Sequence, residues 1–186
     1  MSRVIVWNLV SLDGFFEGEK KWDLDFHGHA WGEELERISE DFGERARMLV
    51  FGRVTYEGMK SYWTTTQDET RIKAFMNAMP KLVASRTLSQ SDWNNTTMTS
   101  DITGDLRRLK REPGKDICIF GSAELTDTLL GEGLVDEVML ALVPTRLGRG
   151  TPFFKSAQSP KRFELAEARP LSNGTVILRY TPGPAA

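Results

Sequence analysis

Two junctions in the sequence carry the residue types that hold phosphate. Leu49-Val50-Phe51-Gly52-Arg53-Val54-Thr55 and Ile117-Cys118-Ile119-Phe120-Gly121-Ser122-Ala123 each end an apolar run on a glycine. Each then opens a helical pattern with a small or hydroxyl residue nearby. A helix N-terminus offers free N–H groups and the positive end of the helix dipole. Glycine lets the backbone approach a ligand closely. Singly, either junction reads better as a tight strand-to-helix turn, where glycine is common. Together with Arg53, the pair could grip the two ends of a diphosphate. Ser85-Arg86 follows a third apolar run. A hydroxyl beside a planar guanidinium suits a phosphate monoester, the alternative being an exposed loop arginine.

Other chemistries lack their residues. Neither G-x-G-x-x-G nor G-x-x-x-x-G-K-[ST] occurs, so the common nucleotide fingerprints do not apply. No G-x-S-x-G supplies a hydrolase nucleophile elbow, and the P-C-x-x-C ligands of zinc deaminases are missing. His27-Gly28-His29 has no third ligand at convincing spacing, so no metal site is expected. Trp7, Trp31 and Trp93 read as packing, whereas Trp22 and Trp63 lie in loop-like sequence and could wall a pocket for a planar substrate. Arg107-Arg108-Lys110-Arg111 reads as the solvated face of a helix.

The chain has 186 residues, about one domain's length. Lys+Arg number 24 and Asp+Glu 26, for a net charge of −2, which argues against a nucleic-acid binder. A single cysteine, Cys118, excludes an intramolecular disulfide framework and a Cys-rich zinc site. No apolar run approaches 18 residues and the first residues do not form a leader, so a cytoplasmic protein without a membrane partner is expected.

The elements that must position these residues alternate. Residues 3–10 read as a strand, followed by an ordered loop over 15–30. Trp31, Leu35, Ile38 and Phe42 fall on one face of a helix that Gly43 should stop. Strands are expected at 47–51, 81–84, 96–99, 116–120 and 135–143. Helices are expected from Arg53, over 68–79, from Ile102 toward Pro113-Gly114, and after Gly121. Residues 163–168 and 175–180 form an antiparallel pair joined through Asn173-Gly174. This pattern predicts an α/β domain over residues 1–181, with a mostly parallel central sheet covered on both faces, an antiparallel C-terminal edge hairpin and a frayed tail over 182–186. Such sheets bind ligands at the carboxyl ends of their strands.

Six pieces, in order over nearly the whole chain, carry a resemblance. They are Ser11-Leu12-Asp13-Gly14, Phe51-Gly52-Arg53-Val54-Thr55-Tyr56-Glu57, Ala84-Ser85-Arg86, Ile119-Phe120-Gly121-Ser122-Ala123-Glu124-Leu125, Val135-Asp136-Glu137-Val138 leading to Pro144, and Leu147-Gly148-Arg149-Gly150-Thr151-Pro152-Phe153-Phe154. The set resembles the dihydrofolate reductase-like superfamily. Within it, the set is most similar to the RibD-type C-terminal reductase domain of riboflavin-biosynthesis deaminase-reductases and its stand-alone relatives. The resemblance implies a three-layer αβα fold, NADPH as cofactor and hydride transfer to an imine or sugar C1 carbon of a small heterocyclic substrate. By resemblance, Gly52, Arg53 and Thr55 would hold the diphosphate on one side. Gly121, Ser122, Ala123 and Glu124 would hold it on the other. Ser85 and Arg86, with Arg53, would meet the 2′-phosphate. Leu9, Val10, Asp13, Gly14, Gly150 and Thr151 would border the nicotinamide. Asp13 and Glu36 are the candidate proton donors. A homodimer is implied, with the strand at 135–143 and its neighbours at the interface.

The departures concern the substrate side. Phe15-Phe16 stands where the riboflavin enzymes usually carry a basic residue. Phe120-Gly121-Ser122 replaces a Gly-Gly pair that in the superfamily is often cis, and the deaminase half is absent. The activity expected is therefore that of an NADPH-dependent reductase resembling 5-amino-6-(5-phosphoribosylamino)uracil reductase. The alternatives are a dihydrofolate (pterin) reductase and a non-catalytic nucleotide-binding protein of the same fold.

Overall fold

The first strand, β1 (Val4–Ser11), divides the core in two. Its side chains alternate, so Val4, Val6 and Val10 join one apolar cluster while Ile5 and Trp7 join another. The computed structural model describes residues 1–67, 70–155 and 160–183. After β1 come β2 (Phe15–Glu17), a 3-10 turn (Asp25–His29), α1 (Glu33–Arg45), β3 (Ala46–Gly52), α2 (Arg53–Thr65) and α3 (Arg71–Ala78). Then follow β4 (Lys81–Ala84), β5 (Thr96–Thr99), α4 (Ile102–Arg111), β6 (Asp116–Phe120) and α5 (Ala123–Gly131). The chain closes with β7 (Glu137–Val143), β8 (Thr151–Pro152), β9 (Phe163–Pro170) and β10 (Val176–Pro182).

Eight strands form one sheet in the order β5-β4-β3-β6-β1-β7-β10-β9. The six from β5 to β7 are parallel. β10 runs antiparallel to β7, and β9 antiparallel to β10. Right-handed crossovers send connections that travel toward β5 over one face and those that return over the other. Accordingly Leu35, Ile38 and Phe42 of α1, Tyr56 of α2, and Ile72 and Met76 of α3 join the cluster of Ile5 and Trp7. Leu106 and Leu109 of α4 and Ala123, Leu129 and Leu130 of α5 join the cluster of Val4 and Val6. The three layers and the antiparallel edge are those expected from the alternation of elements.

Several local expectations change. Gly43 does not stop α1, which continues to Arg45. The glycine instead makes room for the Phe75 ring of α3, which a Cβ would meet at 2.8 Å. The loop over 15–30 contains β2 and the 3-10 turn, and β2 pairs with β8 in a two-stranded ribbon. Of the helix expected over 68–79, residues 68–69 lie outside the described residues. The helix begins after Thr70, whose hydroxyl accepts the Lys73 N–H. The last hairpin is longer than its apolar pattern, with Pro182 opposite Phe163. The Gly183 N–H donates to the Arg162 carbonyl, so ordering reaches into the expected tail, of which 184–186 lie outside the described residues. β7 is interior to the sheet and almost wholly buried, so it presents no free edge. The edge strands of this sheet are β5 and β9, and on β9 Leu165 is 57% exposed. The basic face of α4 is largely paired, Arg107 with Glu132, Arg108 with Asp105 and Glu112, and Lys110 with Asp136. Among the described residues no helix is long and apolar enough to cross a membrane.

Candidate functional site

β3 hands the chain to α2 on one face of the sheet, while its neighbour β6 hands it to α5 on the other. Connections that leave in opposite directions open a crevice between the strand ends. Its two sides are tied together. The Gly52 N–H donates to Ser122 Oγ at 2.9 Å, and the Ser122 N–H donates to Thr55 Oγ1 at 3.0 Å. The Ser122 hydroxyl donates to the Phe120 carbonyl at 3.2 Å, and Asn8 Nδ2 donates to the Gly121 carbonyl at 3.4 Å. Gly121 has φ +57°, and a Cβ there would come within 2.8 Å of Thr55 Cγ2, so only glycine fits. No peptide bond among the described residues is cis, including Phe120–Gly121.

Both helices that meet here start without a side-chain cap, at Gly52 and Ser122. By contrast α3 and α4 are capped by Thr70 and Asp101. Ser122 is a residue type that commonly caps, but its oxygen is turned across the crevice to Gly52. The first-turn N–H groups of α2 and α5, including those of Arg53, Ala123 and Glu124, are therefore left to water or a ligand. The structure engages Thr55 and Ser122 with each other, and Ala123 is buried at 3% exposure.

The basic end lies beside β4. Arg53 Nη1 donates to both carboxylate oxygens of Glu57 at 3.0 Å. The Ser85 N–H donates to Thr99, and its hydroxyl oxygen accepts from the Thr87 and Leu88 N–H groups, which fixes the turn that presents Arg86. Arg86 is exposed and makes no ion pair among the described residues.

On the β1 side the expected residues divide between the two faces of the sheet. Leu9 is half-buried against the α1 cluster, and Val10 is 4% exposed in the α5 cluster. Asp13 clasps the end of β1 to the 147–148 turn. Its carboxylate accepts from the Ser11 hydroxyl and from the Leu147 and Gly148 N–H groups, at 2.7, 3.1 and 2.7 Å. The Ser11 hydroxyl above all, helped by the Gly148 and Leu147 N–H groups, holds its carboxyl down at about 2 against an opposing desolvation. Gly14, at φ +83°, faces open space. Gly150, at φ +149°, sits so tightly on β2 that a Cβ would meet the Glu17 carbonyl at 2.3 Å. Thr151 donates to Glu17 Oε1 at 2.8 Å and the Phe153 N–H donates to the Gly14 carbonyl at 2.9 Å. The sequence does not single out Glu17, because the strand it pairs with, β8, is only two residues long.

From there the chain crosses the strand ends. Phe16 packs on the α5 face, whereas the Trp22 ring lies on Gly58 of α2, on the opposite face. Glu17 Oε2 accepts the Trp22 N–H at 3.0 Å, and Trp22 sits at φ +67°.

A separate cavity of about 300 Å³ opens between the start of α1 and the β9–β10 turn, walled by Trp31, Glu33, Glu34, Leu35, Ser172 and Asn173. The expected acid Glu36, half-buried one residue further along α1, does not line it. Glu34 does. Its Oε2 accepts from the Ser172 hydroxyl and, at 2.8 Å, from the Ser172 N–H. These bonds, the hydroxyl first, with Arg169 and Arg37 nearby, hold the Glu34 carboxyl below its ordinary range. The two histidines diverge. His29 Nδ1 meets the Thr145 hydroxyl at 2.7 Å, while His27 Nε2 is buried without a partner among the described residues, and burial pushes that ring down to about 4. Among the described residues no three His, Cys, Asp or Glu side chains gather as metal ligands would.

A mostly parallel sheet with helices on both faces and an antiparallel edge hairpin defines an α/β protein of dihydrofolate reductase-like fold. Residues 2–177 match the RibD C-terminal domain family, and the chain belongs to that family. It is 29% identical to the uncharacterized protein YyaP of Bacillus subtilis (strain 168), over 96% of this chain and 94% of that one. Its fold is similar to that of a Shewanella sp. PV-4 protein provisionally named for riboflavin biosynthesis, with TM-score 0.74, 21% identity, and 98% and 99% of the two chains covered. It is also similar to dihydrofolate reductase from Enterococcus faecalis complexed with NADP(H), with TM-score 0.63, 13% identity, and 98% and 97% covered.

Proposed function

We propose that the chain is an NADPH-dependent reductase of a small heterocyclic substrate, resembling the uracil-type reductase of riboflavin biosynthesis. The observation that carries this reading is the pair of uncapped helix starts tied across one crevice. The residues present fit the cofactor. The diphosphate would meet the first-turn N–H groups of α2 and α5, where the helix dipoles favour negative charge. The 2′-phosphate would meet Arg86 and the Ser85 turn, joined by Arg53 on release from Glu57. That release is cheap, since an exposed i,i+4 pair is worth about 0.3–0.5 kcal/mol. When bound, NADPH supplies the hydride. The protein's share is to orient, to exclude water and to admit a proton. The carboxylate of Asp13 is committed to three donors, so the proton comes from solvent water rather than from Asp13.

A second reading, a pterin-type reductase, is favoured by one observation. The cavity beside α1 combines an exposed aromatic wall, Trp31, with the ionised carboxylate of Glu34. That pairing suits a flat heterocycle bearing N–H donors, and no lysine or arginine lines the cavity for a phosphoribosyl group. Oxidation of NADPH, followed at 340 nm against dihydropterin and phosphoribosylaminouracil substrates, tests both readings. Turnover of the phosphorylated substrate alone supports the first, and of the pterin alone the second. Turnover of neither, with tight NADPH binding, would leave a nucleotide-binding protein.

A further inference from the structure

We propose that Thr55 and Ser122 are positioning residues that set the gap between the starts of α2 and α5, so that the crevice holds a two-phosphate bridge rather than a lone phosphate. The proposal rests on the cofactor reading above and assigns these two residues a part other than direct ligation.

The hydrogen bonds Gly52 to Ser122 and Ser122 to Thr55 join residues 70 and 67 positions apart in the chain. They consume the Gly52 and Ser122 N–H groups, which would otherwise face an anion. Thr55 and Ser122 are 9% and 7% exposed, so these bonds are shielded from competing water. Ser122 is held at φ +58°, a conformation that a side chain rarely adopts, next to Gly121 at +57°. Such strain persists only where surrounding bonds over-determine it, and here both the Ser122 N–H and its hydroxyl are engaged. The gap is therefore fixed before any ligand arrives.

A ligand that touches both helix starts at once gains affinity from their fixed spacing, as any two-point ligand does. A ligand held only at the Ser85–Arg86 end does not depend on the spacing.

Thr55→Val keeps the shape and removes the acceptor for the Ser122 N–H. The probes are NADPH, whose diphosphate would bridge the two starts, and adenosine 2′-monophosphate, which would engage the Arg86 end alone. Calorimetry should show NADPH binding weakened about tenfold in Thr55→Val while adenosine 2′-monophosphate stays within about twofold. Thr55→Ser should recover most of the loss, and Ser122→Ala, which orphans the Gly52 N–H, should give the same split. Equal weakening of both probes, or unchanged NADPH binding in a folded variant, would overturn the positioning role alone. Wild-type protein that fails to bind NADPH would overturn the cofactor reading and this proposal together.

Discussion

The indole of Trp22 lies so close over Gly58 that a Cβ on the glycine would come within 2.4 Å of the ring. Gly58 sits inside α2, where alanine is ordinarily better than glycine by about 1 kcal/mol. The stacked ring reverses that preference, because the added methyl must displace it. Gly58→Ala is expected not to stabilise the wild-type chain, and to raise protease cleavage within 18–24. In a Trp22→Ala background the same change is expected to stabilise by about 1 kcal/mol. Denaturant unfolding of the four proteins of this cycle measures the difference. Equal effects in both backgrounds would sink the contact as an energetic one.

Arg86 makes no ion pair among the described residues, whereas Arg53 is already held by Glu57. Arg86→Ala should weaken NADPH binding by about 10- to 100-fold and leave NADH unchanged, the range for losing a charge-assisted bond to phosphate. Arg53→Ala should cost less. A loss that is the same for both cofactors would place Arg86 away from the 2′-phosphate.

Two carboxylates of α1 are separated by their surroundings. Glu34 lines the cavity with Trp31, and Glu36 does not. Glu34→Gln should raise the substrate KM by about tenfold, because a charged acceptor becomes a weaker neutral one. Glu36→Gln should leave KM within about twofold. The reverse order would restore Glu36 to the site.

His27 makes stability depend on pH. The unfolded chain takes up a proton at this ring below 6.5, and the buried ring resists it down to about 4. Stability is therefore lost as pH falls through that window, by about 3 kcal/mol at its lower end. His27→Leu should flatten this part of the profile. Urea unfolding of both proteins at pH 7 and pH 4.5 checks it, and parallel profiles would mean that the ring is not protected by burial.

The parallel sheet and its glycine junctions are legible because strand and helix periods differ and glycine marks their exchange. Strands β4, β5 and β6 have the bounds expected of them, 81–84, 96–99 and 116–120. What the sequence hides is made by contacts between distant residues. Gly43 reads as a stop until the Phe75 ring is seen to need its space. Asp13 gives no sign in the sequence of the Leu147 and Gly148 N–H groups, more than 130 residues on, that donate to it. Leu9 and Val10 are neighbours in sequence, yet the strand period sends them to opposite faces. Thr55 and Ser122 look like two ligands in the sequence and meet each other in the fold.

The central claim is that the crevice between α2 and α5 binds a phosphorylated dinucleotide. Calorimetric titration of the purified protein with NADPH and, separately, with NADH tests it most directly. The account predicts saturable one-to-one binding of NADPH that is at least about tenfold tighter than that of NADH, through Arg86 and the Ser85 turn. Absence of binding by either nucleotide would contradict it, and would mean that this fold keeps its two uncapped helix starts for some other anion.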